Sequence, residues 1–199
     1  MHNDLESPAD VARWRAELED FRRAKDRYLL HEPSSPIPYE HRGQLGDGLP
    51  HFEPDPALRF VVALEPYRTP DVVQVQDTGG NTRSFFRWGA LHFEVDGAPC
   101  TLHAYKSPGS DSLFVPFRDA TNGRETYGAG RYLDLHEDRD LVEPPSSPRE
   151  GGRWALDFNL AYNPYCAYSE HYVCPFVPPE NHLPCAVRAG EKAYPLDPA

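Results

Sequence analysis

The chain has 199 residues, 39% hydrophobic and 26% charged, which fits one compact domain spanning 1–199 and excludes a fully disordered polypeptide. Its 31 acidic against 20 basic residues give a formal charge of -11, the wrong sign for a phosphate-backbone partner, so no nucleic-acid binding is expected. Proline, at 22 residues, is about twice as frequent as the average of ~5%, which excludes long helices over most of the chain.

Met1-His2-Asn3-Asp4 leads into a charged segment instead of an apolar signal region. No run of about 18 apolar residues could span a bilayer. These features predict a soluble, cytoplasmic protein with no membrane partner. In a reducing cytosol, Cys100, Cys166, Cys174 and Cys185 are expected as thiols or metal ligands.

Ser7-Pro8-Ala9-Asp10 has the form of a helix start. Ser7 can cap, Pro8 needs no amide partner at the first helical position, and Asp10 meets the positive dipole end. A helix over 7–31 follows, with Val11, Trp14, Leu18, Phe21 and Tyr28 on one stripe and Lys25 completing the series. Residues 33–57 are rich in proline and glycine and predict an irregular strap.

From residue 58 the hydrophobic period changes to two. Strands are predicted at Arg59–Glu65, Val72–Asp77, Thr82–Arg87, Ala90–Val95, Pro99–Tyr105, Leu113–Phe117, Arg131–Leu135 and Arg153–Asn159. Thr78-Gly79-Gly80-Asn81 and Asp96-Gly97 supply tight hairpin turns, and Ser107-Pro108-Gly109-Ser110 a looser one. The class is therefore mainly β: an antiparallel up-and-down β-barrel or strongly bent sheet of about eight strands over 58–160, with one N-terminal helix. A two-sheet β-sandwich is the alternative, because periodicity does not reveal closure. Residues 161–199, with a Pro-rich stretch and no period, are expected to wrap over the barrel mouth; a Pro-rich loop also covers 144–148.

Three segments resemble the uncharacterised prokaryotic family DUF1684. They are Leu113 to Asp134, through Thr126-Tyr127-Gly128-Ala129-Gly130-Arg131-Tyr132; Asp157 to Tyr168, through Asn163-Pro164-Tyr165-Cys166; and Cys174-Pro175 to Glu180-Asn181 with Ala189-Gly190-Glu191-Lys192. The likeness covers about residues 10–195 and implies no activity, substrate or cofactor. Within it, His182 stands where an arginine is expected.

Read as chemistry, Asp119, Thr126, Tyr127, Arg131 and Tyr132 form a first constellation. Gly128 and Gly130 could let backbone amides converge on an anion, with Arg131 as a planar bidentate partner. The alternative is a plain turn in which Arg131 pairs with a buried acid. A second constellation is Asp157, Asn159, Asn163 and Tyr165, where strand alternation puts Asp157 and Asn159 on one face. On an interior face they could orient a polar ligand, with Asp157 and Tyr127 as candidate catalytic groups; buried Asp and Asn also satisfy irregular backbone. A third, Cys166, His171, Cys174 and His182, offers soft donors for zinc but lacks the knuckle spacing of a zinc site; a Cys166–Cys174 disulfide and inert thiols are its alternatives. Glu180-Asn181 and Glu191-Lys192 are expected to cap free backbone in the wrap. No Gly-x-Ser-x-Gly elbow or P-loop is present.

The leading expectation is thus a pocket for a small polar or anionic molecule, with catalysis left open and the cofactor unknown. A non-enzymatic structural or interaction domain and a zinc-stabilised or zinc-dependent protein are the alternatives. Oligomeric state is not legible.

Overall fold

The structure is a computed structural model that describes residue 5 and residues 7–110, 112–147 and 150–196; Met1 to Asp4 and Pro148 lie outside the described residues. Helix α1 (Pro8–His31) begins as the sequence predicts. The Ser7 hydroxyl accepts from the Asp10 amide at 3.2 Å, and Asp10 accepts from the Ser7 amide, so two otherwise orphaned donors are satisfied together. The strap that follows contains one additional helical turn, α2 (Tyr39–Arg42).

The β region is one curled antiparallel sheet, a half-barrel of seven strands. They are β1 (Arg59–Gln76), β2 (Thr82–Val95), β3 (Ala98–Lys106), β4 (Leu113–Phe117), β5 (Arg131–Leu135), β6 (Leu141–Glu143) and β7 (Arg153–Asp157), in the order β5-β4-β3-β2-β1-β7-β6. The first five form a meander. The β6–β7 hairpin then returns to the free edge of β1, so the up-and-down order does not run through to the end. A single-turn helix, α3 (Glu137–Asp140), joins β5 to β6.

The four strands predicted between 59 and 95 are two long ones. The predicted strands leave gaps at Pro66–Asp71 and Trp88–Gly89, yet the ladder continues across both with a register shift. Such bulges bend a strand and increase its twist, which is how long strands curl. Gly89 is required at one of them, because a Cβ there would meet the Glu65 carbonyl oxygen at 2.7 Å. The Asp96-Gly97 turn carries positive φ at both residues, as predicted.

The concave face holds the main core: Phe60, Leu91, Phe93, Leu102, Val115, Phe117, Leu156 and Phe158 among others. Leu183, Val187 and Ala189 belong to it too, so the C-terminal wrap enters the half-barrel interior instead of only covering its mouth. Burying Phe158 completely is worth about 1.5–3 kcal/mol on the usual transfer scale. A smaller core of Leu29, Ile37, Leu45, Leu49, Tyr168 and Tyr194 joins α1, strap and wrap.

Asn181 shows how the wrap completes the sheet. Strands β3 and β4 share a single register pair, Tyr105 with Phe114. Where they splay, the fully buried Asn181 side chain accepts from the His103 amide at 2.8 Å and donates to the carbonyls of His103 and Pro116 at 2.9 and 2.7 Å. One side chain thus replaces the missing ladder partner.

Candidate functional site

Arg131, the residue around which an anion site was expected, is completely buried at the start of β5. Its guanidinium donates to Asp119 Oδ2 at 2.9 Å, to the Val187 carbonyl at 2.7 Å, to the Glu191 carbonyl at 3.2 Å and to the Ala189 carbonyl, and stacks over Phe117. Asp119 in turn accepts from the amides of Thr121 and Val187. This pair ties β5 to the wrap and is closed to solvent. Gly130 permits the approach: it has φ +104°, and a Cβ would meet the Phe117 carbonyl oxygen at 2.6 Å.

Thr126 is also buried, sharing a hydrogen bond with the Thr121 hydroxyl and accepting one from the Asn122 amide group. The 119–128 loop therefore satisfies its own polar groups. Tyr127 is half-buried with its hydroxyl 3.8 Å from Cys166 Sγ, and burial together with that neighbour raises its pKa. A phenol held protonated in this way is a poor base near neutral pH.

Asp157 and Asn159 do not lie on one strand face. β7 ends at Asp157, which caps a 3-10 turn over Phe158–Leu160 by accepting from the Asn159 amide at 2.9 Å. Asp157 also accepts from Trp14 Nε1 at 2.7 Å, Arg59 at 3.2 Å and Asn159 Nδ2 at 2.9 Å. Asn159 clamps the strap through the amide and carbonyl of Asp55. Asp157 sits among Trp14, Arg59 and Asn159, whereas Tyr127 faces Cys166, so the structure puts these two candidates in separate surroundings. Asn163 donates its backbone amide to Glu191 and its side-chain amide to the Lys192 carbonyl.

Glu191 is a second buried hub. It receives Lys25 Nζ at 2.6 Å, the Asn163 amide at 2.7 Å and the Tyr168 hydroxyl at 2.8 Å. Burial opposes its charge, but Lys25 and the Asn163 amide outweigh burial and hold its pKa below the ordinary glutamate value. The position of Lys25 on the apolar stripe of α1 is the sequence signal for such a partner.

The zinc alternative is not supported by the arrangement. Among the described residues, no group of three or more His, Cys, Asp or Glu side chains is placed to hold a metal ion. Cys166 and Cys174 meet, but His171 and His182 are exposed, and His182 is drawn onto Arg118 by a parallel bridge. All four cysteines are free thiols.

Of the predicted site residues, Tyr132 and Tyr165 line an open cleft of about 490 Å³ between α1, β5 and the wrap, and Cys174 from the metal alternative joins them. Tyr162 and Tyr172 complete an aromatic wall. Tyr132 and Tyr162 pack edge to face at 5.9 Å, as do Tyr165 and Tyr172 at 5.3 Å. Tyr162 donates to Asp134 Oδ2 at 2.5 Å and Tyr132 to the Pro175 carbonyl, which fixes both rings.

Arg83, Arg139, His136 and Lys25 bring positive or protonatable groups to this cleft. Buried Asp77 anchors Arg83 through Nε at 3.1 Å, and the Val173 carbonyl accepts from NH2 at 2.8 Å. Buried Asp140 anchors Arg139 through Nε and NH2, with the Asp134 carbonyl also accepting from NH2. Both arginines are nearly half exposed, and neither NH1 has a protein partner among the described residues. Two oriented guanidinium edges beside four tyrosines can receive a small anion carrying an apolar ring. Arg83 lies at the start of β2, His136 between β5 and α3, and Arg139 in α3, with no sequence pattern to join them.

The family described as "Protein of unknown function (DUF1684)" matches residues 47–192. No curated protein matches the chain. It is similar to the solution NMR structure of an uncharacterized protein of Haloarcula marismortui: 39% identity, a TM-score of 0.70, and coverage of 94% of this chain and 97% of that one. No helix among the described residues is long and apolar enough to cross a membrane.

Proposed function

Because the chain belongs to the DUF1684 family, whose description assigns no activity, we propose from its geometry that it binds a small anionic molecule with a planar apolar part in the cleft between α1, β5 and the wrap. The supporting observation is the pair Arg83 and Arg139, each anchored by a buried aspartate and each with its NH1 without a protein partner among the described residues, beside a wall of tyrosines. A carboxylate or phosphate would take the guanidinium edges, and its ring would lie against Tyr132, Tyr162, Tyr165 and Tyr172. This moves the binding role from Arg131 and Asp119 to groups at the cleft, with Tyr132 and Tyr165 retained from the predicted set. Asp157 and Tyr127 are assigned no catalytic step.

Calorimetric titration with phenyl phosphate and benzoate, against neutral benzyl alcohol, tests this. The two anions should bind and the alcohol should not. Replacing both Arg83 and Arg139 with alanine should weaken phenyl phosphate by about tenfold or more, since a hydrogen bond to a charged group contributes about 1.5–3 kcal/mol. Equal heats for anion and alcohol, or undiminished binding by the double variant, would remove the proposal.

One observation favours a second reading, a non-enzymatic interaction domain: Val173 and Phe176 of the wrap and Val72 of β1 are exposed apolar side chains. Retention of fully exposed, uncomplexed protein as a monomer at high concentration, together with phenyl phosphate binding, would decide against it.

A further inference from the structure

Cys166 and Cys174 form a pair that the anion reading does not use. Cys166 lies in a 3-10 turn over Tyr165–Ala167, and its backbone amide donates to Cys174 Sγ at 3.3 Å. Cys174 is fixed from behind: its amide donates to Thr78 Oγ1 at 3.1 Å and its carbonyl accepts from the Thr78 amide at 3.0 Å, which pins it to the β1–β2 hairpin. It is Cys174 that borders the cleft, beside Arg83, whose guanidinium holds the neighbouring Val173 carbonyl.

We propose that Cys174 and Cys166 are a dithiol exchange site for small anionic disulfides that enter the cleft. The Cys174 thiolate attacks one sulfur of the disulfide RSSR. The old S–S bond breaks, one thiolate RS⁻ leaves with the electron pair, and a mixed disulfide forms at Cys174. Cys166 then gives up its proton and its sulfur attacks Cys174 Sγ, expelling the second RS⁻. The products are a Cys166–Cys174 disulfide and two RSH, with the protons of the two protein thiols carried by the leaving groups. Two electrons pass from the protein to the small disulfide.

The two sulfurs are unequal in the sense this order requires. Accepting hydrogen bonds from the Cys166 thiol and amide lowers the pKa of Cys174, against the effect of its burial, and nearby Arg83 adds to the lowering. Cys166, which donates to Cys174 and is buried, is raised. The molecule holds its own control. Cys100 and Cys185 approach within 3.6 Å, but burial and Cys100 push Cys185 up to about 12, and both pack in or against the main core. Proximity is shared by both pairs, and Cys185 is more exposed than Cys166 or Cys174, but of the four cysteines it is Cys174 that lines the cleft beside Arg83.

The proposal rests on the cleft admitting small molecules, and its test uses full-length reduced protein with the anionic aromatic disulfide dithiobis(nitrobenzoate). Thionitrobenzoate release is followed by absorbance, remaining thiols are alkylated, and peptides are mapped by mass spectrometry. Two equivalents released in the fast phase, a Cys166–Cys174 link, and alkylated Cys100 and Cys185 are expected. Cys166→Ala should stop at a stable Cys174 adduct, and Cys174→Ala should abolish the fast phase. If either variant does not fold, the wild-type peptide map decides alone. Recovery of Cys166 and Cys174 as unreacted thiols, a Cys174 adduct that never resolves, or prior closure of Cys100–Cys185 would overturn it. Phenyl phosphate calorimetry separates the two proposals. Binding without the disulfide removes this one, and a disulfide without binding removes the anion reading while leaving exchange in place.

Discussion

Arg131 and the arginines of the cleft have the same chemistry and opposite fates. Arg131 has no exposure, and its guanidinium is taken up by Asp119 and three carbonyls of the wrap. Arg83 and Arg139 also rest on buried aspartates, but each keeps its NH1 without a protein partner among the described residues. A buried guanidinium whose NH1 and NH2 both bond to the protein is a cross-link, whereas one anchored along a single edge and half exposed can receive a further partner. The contrast gives residues 119–131 a stabilising role and, on the proposed function, leaves recognition to the cleft.

The largest effect that can break this contrast is at Arg131. Arg131→Ala leaves Asp119 charged and unpaired in the core, which costs about 3–5 kcal/mol. Urea denaturation should show that loss or complete failure to fold; a change under ~1 kcal/mol would mean the cross-link contributes little.

Glu191 comes next, because Lys25 and the Asn163 amide hold its charge in a fully buried place. Its pKa is depressed in the fold, so its contribution is present above the ordinary glutamate pKa and is lost as pH falls through that range toward the native value. Glu191→Gln should destabilise the protein at neutral pH and flatten the acid limb of a stability–pH profile. A parallel downward shift with the acid limb unchanged would contradict the assignment.

The smallest stability effect belongs to the cleft. Arg83→Ala and Arg139→Ala remove arginines that are nearly half exposed and leave Asp77 and Asp140 with backbone amide donors, so each should cost about 1 kcal/mol, well below Arg131→Ala, while phenyl phosphate affinity falls. Equal losses in both assays would erase the distinction between the two regions.

Local physics made much of the fold legible before any coordinates. Ser7 and Asp10 announce α1, and Asp96-Gly97 announces a hairpin, because caps and turns depend on a few adjacent residues. Pro66 and Pro70 misled, since they sit in a bulge that bends β1 instead of ending it. β6 escaped notice because Leu141–Glu143 is too short to show a period. The site was less legible. Asp157 and Asn159 follow a strand's alternation, yet the chain turns at Asp157. The enriched polar residues of 119–163 signalled buried bonding by the wrap, which the chain supplies only some thirty to sixty residues later through Val187, Ala189 and Glu191. Lys25 on an apolar stripe carried a readable signal, but Arg83 of β2 and Arg139 of α3 line one cleft only through the tertiary fold, and no spacing records it.

The most direct measurement is a phenyl phosphate titration followed residue by residue in amide chemical shifts of the isotope-labelled protein. Saturable shifts should cluster at Arg83, Asp134 to Arg139 and Tyr162 to Cys174, and spare Asp119 to Thr126. Shifts centred on Asp119 to Thr126, or none in the cleft at concentrations that saturate calorimetry, would contradict the account.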